Sequence, residues 1–375
     1  MAYAVIAWLA ARAPLRGRAP APAEPNARPV TLLKPLCGAD ADTYESLRSF
    51  CDQVYPQFQV VFGISDSNDP AVRIVERLQR EFPQTDLQIA IDRRQHGSSR
   101  KVSNLINMMP LARHGILVLS DSDVRVGRDY LTRIIEPLRD PSVGIVTCTY
   151  RGVPRAGFWS RLGALYINDW FMPSVRVAAL AGSRSFAFGA TIAIRREVLA
   201  DIGGFMAIAN QLADDYRLGE LTRRMGLRTV LSDVVVETCV TETSLRALVR
   251  HELRWLRTIR AVRPLGFGFS FVTFGIPVAA LGVLLACGSP PAVGMFAVTA
   301  AARIMLHLRA RVPLCSARQE LALLAARDLL SFGLWAWSFA TRRVHWRDLH
   351  YLVSRDGSAR LAAGYEQART VGDET

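Results

Sequence analysis

Ile116-Leu117-Val118-Leu119-Ser120-Asp121-Ser122-Asp123 is an unbroken apolar run that ends abruptly in two carboxylates. A short, continuous apolar run is what a strand covered on both faces requires, as in a parallel sheet flanked by helices. Ligands of such sheets bind beyond the C-terminal ends of the strands, so Asp121 and Asp123 are expected to face a crevice. An Asp-x-Asp pair can share one hard divalent cation, Mg or Mn, which can in turn bridge the phosphates of a nucleotide. A solvated turn or a helix cap would use the same residue types.

Working outward, strand-like runs recur at Val30-Thr31-Leu32-Leu33, Val60 to Ile64, Leu87 to Ile91 and Val143 to Val146, with helical patterns over Asp42 to Asp52 and Ala71 to Phe82 between them. This alternation predicts an α/β domain with a mostly parallel sheet. Asp66 closes the second strand and is a candidate contact for a uridine or ribose, whereas Asp69, just before Pro70, reads as a helix cap. Ser99-Arg100-Lys101-Val102-Ser103-Asn104 opens a further helix with cationic and amide side chains, and Lys101 and Asn104 are candidates for nucleotide-sugar binding.

The 375 residues carry a formal charge of +13, with a pI near 10.1, which calls for an anionic partner: nucleic acid, a membrane surface or a phosphorylated substrate. Dispersed arginines without a helix-turn-helix, zinc-finger or RNP pattern disfavour nucleic acid. The six cysteines are scattered, with no Cys-x-x-Cys pair, and read as reduced packing residues of a cytosolic compartment. Trp159, Leu162, Tyr166 and Trp170 fall at helical spacing, a stripe that suits a protein core or, alternatively, a lipid headgroup region.

Phe188-Gly189-Ala190-Thr191, Ile202-Gly203-Gly204-Phe205 and Ala213-Asp214-Asp215-Tyr216, with Lys34-Pro35-Leu36 and Gly38 upstream and Arg254-Trp255 downstream, together resemble the inverting GT-A glycosyltransferases. More narrowly the chain resembles the ceramide glucosyltransferase family, and most closely its bacterial members associated with hopanoid biosynthesis. The resemblance spans roughly Pro29 to Pro264, with Asp66, the Asp121 triplet, Asp215 and Arg254-Trp255 in the family's order. It implies a GT-A nucleotide-sugar-binding domain in which Asp121 and Asp123 hold the metal and Asp66, Lys101, Asn104 and Asp121 bind the donor. Asp215 is then the base, and His251, Arg254 and Trp255 complete the catalytic set. His251 replaces the family's usual Gln or Arg, so a fixed positive charge is missing there. Asp214 would raise the pKa of Asp215 by repulsion or simply begin the next helix.

The expected segments are an apolar stub and Pro/Ala/Arg linker over 1–28, a GT-A domain over 29–264, and a transmembrane hairpin over 265–308. A basic loop with an interfacial or re-entrant apolar segment (321–340) and an amphipathic piece occupies 309–356, and a polar tail follows. Arginines at 254, 257, 260 and 263 before the hairpin and at 309, 311 and 318 after it place both outer ends, and the catalytic domain, in the cytoplasm of a bacterial inner membrane.

The resemblance implies a membrane-bound inverting enzyme that moves a sugar from a UDP-sugar, first UDP-N-acetylglucosamine, to a lipid alcohol, first bacteriohopanetetrol. Glucosyl transfer from UDP-glucose to ceramide or diacylglycerol is the alternative within the class, and a metal-dependent nucleotidyltransferase the alternative from another.

Overall fold

The structure is a computed structural model and describes residues 2–11, 27–183, 186–310, 317–341, 343–346, 349–354 and 358–361. The chain divides into two units, one made of 14–150 and 183–239 and the other of 1–13, 151–182 and 240–375. This differs from the expected division at 264. The segments 151–182 and 240–264 belong with the C-terminal helices rather than with the nucleotide-type domain.

In the first unit the apolar runs form strands β1 (Val30–Pro35), β2 (Phe58–Ile64), β3 (Asp86–Ile91) and β4 (Ile116–Leu119). They are joined by short crossovers of the predicted kind, including the helices Thr43–Cys51, Ala71–Glu81 and Arg100–Met108. β1 pairs in parallel with β2 on one side and β4 on the other, and β3 lies outside β2. Further strands are β5 (Val124–Arg125), β6 (Val143–Pro154), β7 (Ile192–Arg195) and β8 (Arg228–Val240), completing the order β3-β2-β1-β4-β7-β6-β8-β5. Beyond β4 the pairings β4–β7, β7–β6 and β5–β8 are antiparallel, so the sheet is mixed. The strand β8 escaped the sequence reading, although Ser232, Val234, Val236 and Thr238 alternate inward along it.

Two apolar layers cover the sheet. Leu32, Val60, Phe62, Ile64 and Val118 face one layer with Phe50, Val75 and Leu78; Leu33, Val61, Leu117 and Leu119 face the other with Val102, Leu105 and Met108. Burial on both faces is why these strands carry no polar alternation. The order runs outward from β1 to β3 and then reverses to β4, so the C-terminal edge opens a crevice between β1 and β4.

The second unit is helical. Residues 158–180 run as helices Phe158–Tyr166 and Met172–Leu180 joined by a π-turn over Ile167–Phe171. Within the expected aromatic stripe Leu162 and Tyr166 are buried, while Trp159 and Trp170 are partly exposed. The helix Ala2–Ala10 buries Ala4, Ala7 and Ala10. Residues 12–26 of the expected linker, and Arg311, lie outside the described residues.

The first half of the expected hairpin is not one straight helix. Pro264–Thr273 and Gly275–Leu285 meet at 71°. Pro277 accounts for the break, because a proline ring clashes with the carbonyl four residues back, here Thr273, and cannot donate to it. Helix Pro290–Ala310 is long and apolar enough to cross a membrane, and the bent pair qualifies only when its two pieces are taken together. The third apolar stretch, expected to be interfacial or re-entrant, forms one helix, Ala317–Ser338, whose Arg327 and Asp328 are buried against other helices of the unit. Arg327 makes a two-pronged ion pair with Glu252 at 2.6 and 2.7 Å, and Arg303 makes another with Asp328 at 2.9 Å on both prongs. A small antiparallel sheet, β9 to β11 (Arg343–Trp346, Leu349–Val353, Ala359–Leu361), follows.

Candidate active site

The Asp121 triplet lies at the point where the sheet order reverses. Lys34, at the end of β1, donates to the backbone carbonyl of Asp121. After the triplet the chain crosses to pair β5 with β8, which sets Thr238 Oγ1 donating to Asp123 Oδ2 at 2.6 Å and Cys239 N donating to the Asp123 carbonyl at 3.0 Å. The turn is therefore fixed at both ends by neighbouring strands. Asp123 is open to solvent at its surface, yet the protein around it and the Asp121 charge push its carboxyl pKa up.

Lys101 faces the same turn. Its helix begins at Ser99, whose Oγ accepts from Val102 N at 3.3 Å. The approach to that cap is pinned: Ser99 N donates to Ala209 O at 3.0 Å and Ser98 N to Asn210 Oδ1 at 2.9 Å. Residues 209–210 are delivered by Gly203 and Gly204, whose φ values of +89° and +66° end the helix Arg196–Asp201 and turn the chain toward Asp214. This is the local work of the Gly-Gly-Phe run, with Phe205 as its buried anchor.

Lys101 Nζ consequently bridges Asp121 Oδ1 at 2.7 Å and Asp214 Oδ2 at 3.0 Å. Burial works against its charge, but Asp121, Asp214 and Asp215 outweigh it and hold its pKa above the usual lysine range. Asp215 accepts from Gly189 N at 2.9 Å and Tyr216 N at 2.7 Å. Burial and then the Asp214 charge push its carboxyl up to about 6, with Lys101 opposing them.

Gly189 is placed by the antiparallel pairing of β7 with β4, which starts one strand where the other ends. A side-chain carbon at this position would lie 2.9 Å from Asp121 Oδ2 and 3.3 Å from Lys101 Nζ, so it would have to push those side-chain ends aside.

Asp66 stands at the same sheet edge, after β2. Asn68 N donates to its Oδ1 at 2.9 Å and Arg93 at 2.8 Å, and both lower its pKa. Asp69 meets its expectation as a cap: its carboxylate accepts from Ala71 N at 2.8 Å and also ties Gly38 N at 2.7 Å. Asn104 is 5% exposed, and its amide nitrogen is spent on the carbonyls of Gly63 (2.8 Å) and Leu36 (3.3 Å), tying the ends of β1 and β2 together.

The remaining predicted residues belong to the helical unit, on Leu245–Val262. His251 Nδ1 is hydrogen-bonded to Glu242, and its ring meets Trp255 edge-on at 4.3 Å. Burial raises the Glu242 carboxyl, but the hydrogen bond and charge of His251 outweigh that and lower it. Trp255 continues a stack through Tyr166 (6.3 Å) to Trp170 (4.9 Å) and Phe274 (5.6 Å). Arg254 adds to the charges felt by Glu242.

The sequence reading passed over Arg93, Thr238 and Glu242. For Lys34 and Gly189 it quoted the residue without assigning it a role. Lys34 did leave a signal, as a lone charge closing an apolar strand.

The donor chemistry fits a divalent cation. Asp121, Asp123, Asp214 and Asp215 gather here, and among the described residues Lys101 stands against them together with Lys34, whose pKa burial pushes down to about 7. Among the described residues no three His, Cys, Asp or Glu side chains gather at ligand spacing. The protein would thus offer at most the carboxylates of Asp121 and Asp123, leaving the other positions to phosphate and water, as Mg and Mn sites in nucleotide enzymes commonly do.

A mixed α/β sheet with an acid-rich crevice where its strand order reverses, followed by a helical unit, defines a nucleotide-sugar transferase type of architecture. The chain belongs to glycosyl transferase family 21, whose profile matches residues 1–359, and it has a GT-A-like fold. Ceramide glucosyltransferase 3 of Caenorhabditis elegans is 24% identical over 238 residues, 63% of this chain and 51% of that protein. The ceramide glucosyltransferase of Komagataella phaffii is 31% identical over 121 residues, 31% of this chain and 24% of that protein. The chain thus spans about half, or less, of the length of these curated relatives. Among solved structures, the mannosyltransferase PcManGT from Pyrobaculum calidifontis, in complex with GDP-Man and Mn2+, superposes with a TM-score of 0.55 at 22% identity, covering 90% of this chain and 93% of that one.

Proposed function

We propose that the protein is a membrane-bound, metal-dependent inverting glycosyltransferase that moves a sugar from a UDP-sugar to a lipid alcohol. The observation that carries this reading is the convergence of Asp121, Lys101, Asp214, Asp215 and Gly189 on one crevice in a family 21 chain.

In this reading Asp66 receives the ribose or uracil at the edge of the sheet. Asn104 supports that edge from behind by tying β1 to β2. Lys101 orients Asp121 toward the diphosphate while its ion pair holds Asp214 in place beside Asp215. Asp215, held by two backbone N–H groups, takes the proton from the acceptor hydroxyl as that oxygen attacks the anomeric carbon. The sugar–phosphate bond breaks on the opposite side, which inverts the anomeric centre. A divalent cation on Asp121 and Asp123 would neutralise the charge of the departing UDP. Roles for Arg254, as a fixed cation, and for His251 and Trp255 rest on the sequence pattern.

Membrane attachment is supported by helix Pro290–Ala310 and by exposed apolar side chains such as Leu284, Leu285, Val293, Met295 and Ile304. The arginines flanking this region support a cytoplasmic catalytic unit at a bacterial inner membrane.

The first donor and acceptor pair is UDP-N-acetylglucosamine with bacteriohopanetetrol. The second is UDP-glucose with ceramide or diacylglycerol, and the names of the curated relatives favour it. Membranes containing the protein, supplied with each radiolabelled donor and acceptor in turn, test both. Labelled ceramide alone would replace the first pair by the second, and a nucleotide-modified rather than sugar-modified product would overturn sugar transfer.

A further inference from the structure

Lys34 is fully buried, at 0% exposure, near the end of a strand that is otherwise apolar but for Thr31. Its ammonium lies over the Phe50 ring at 3.7 Å, approaches Ser120 Oγ at 3.4 Å and donates to the backbone carbonyl of Asp121. Among the described residues no carboxylate is hydrogen-bonded to it. Burying an ammonium is costly, and a methionine of similar length would fill the same space without that cost. Packing therefore gives no reason for a charge here. What the charge does is hold the turn that carries Asp121 and Asp123, from beneath, at the strand-order reversal.

We propose that Lys34 is a positioning residue: from inside the sheet it clamps the Asp121–Asp123 turn so that both carboxylates present themselves to a nucleoside diphosphate and its divalent cation. Being buried, it touches no substrate. The inference rests on the nucleotide-sugar reading of this crevice and assigns its geometry to a residue outside it. Thr238 and Cys239 hold the far end of the same turn, so Lys34 governs the Asp121 end.

The test uses the full chain in detergent and two readouts, the melting temperature without ligand and UDP affinity by calorimetry with and without Mn2+. Lys34→Met is expected to melt at or above the wild-type temperature while its UDP affinity in Mn2+ falls roughly ten- to a hundredfold, the scale of a lost hydrogen bond to a charged group. Lys34→Gln, which keeps a donor for the Asp121 carbonyl, is expected to fall between the two. A Lys34→Met protein that binds UDP as the wild type does would overturn the inference and leave the nucleotide reading intact. One that melts markedly lower, or cannot be recovered folded, would make Lys34 a structural residue and overturn it as well. Wild-type protein that binds no UDP would overturn the nucleotide reading, and the inference with it.

Discussion

Lys101 holds Asp121 at 2.7 Å, and with the same ammonium it holds Asp214 at 3.0 Å. One cation thus couples the acid that would meet the donor's diphosphate to the pair that would activate the acceptor. Replacing it with methionine leaves several carboxylates facing one another with less compensation. Lys101→Met should raise the Asp215 pKa by about one unit or more, the scale for losing a nearby opposite charge. The acid limb of the pH–rate profile, measured on lipid product, should move upward by the same amount. An unmoved limb would separate Lys101 from the base.

The Asp215 carboxyl, pushed up to about 6 from its ordinary value of 3.8, gives two pH signatures of opposite sign. As a base it must be ionised, so kcat/KM should rise with pH through about 6. Stability runs the other way. Between 3.8 and 6 the folded chain retains a proton that the unfolded chain has lost, so this group's contribution falls as pH rises, by up to about 3 kcal/mol in all. Melting temperatures of wild type and Asp215→Asn should therefore diverge from pH 4 to pH 7, with the wild type losing ground. Asp215→Asn should also lose roughly 10²- to 10⁴-fold in rate.

Gly189 passes so close to Asp121 that one added methyl group would sit 2.9 Å from its Oδ2. Gly189→Ala should displace Asp121 or the loop and cut activity on the order of tenfold, as a misplacement of this size commonly does. Its melting temperature should stay close to the wild-type value, because the atoms displaced are side-chain ends facing the crevice. A variant of full activity would mean that the loop is not held between Asp121 and Asp215.

In the helical unit, Glu252 and Arg327 are both buried and paired at 2.6 and 2.7 Å. Arg327→Met should destabilise the protein by about 3–5 kcal/mol, because it strands a buried carboxylate. Adding Glu252→Met should restore most of the loss. A double variant no more stable than the single one would show that the pair is not coupled.

The parallel half of the sheet was legible because its strands are covered on both faces and therefore read as plain apolar runs: β1, β2, β3 and β4 fall where Val30, Val60, Leu87 and Ile116 placed them. The strand β8 was harder to see, since its inward positions include Ser232 and Thr238, which hide the alternation. The break between Thr273 and Gly275 is a backbone effect of Pro277 within an otherwise uniform apolar stretch, which hydropathy does not register. Burial of Arg327 depends on Glu252, 75 residues away in sequence, and no local pattern announces such a partner. Within the candidate site, Asp121 and Asp215 stood out by their place in the motifs. The bridging of Asp121 to Asp214 by Lys101 needed the fold, because it joins residues from three separate segments.

The central claim, Asp215-dependent transfer of a sugar from a UDP-sugar to a lipid alcohol, is tested most directly by mass spectrometry of total lipids. The host is a bacterium without such glycolipids, supplied with hopanoid precursors and expressing either the wild type or Asp215→Asn. The account predicts a lipid heavier by one N-acetylhexosamine or one hexose in wild-type cells, absent in cells with the folded, membrane-inserted variant. A sugar-modified lipid that persists undiminished in Asp215→Asn, or no sugar-modified lipid with the wild type under any donor and acceptor supply, would contradict it.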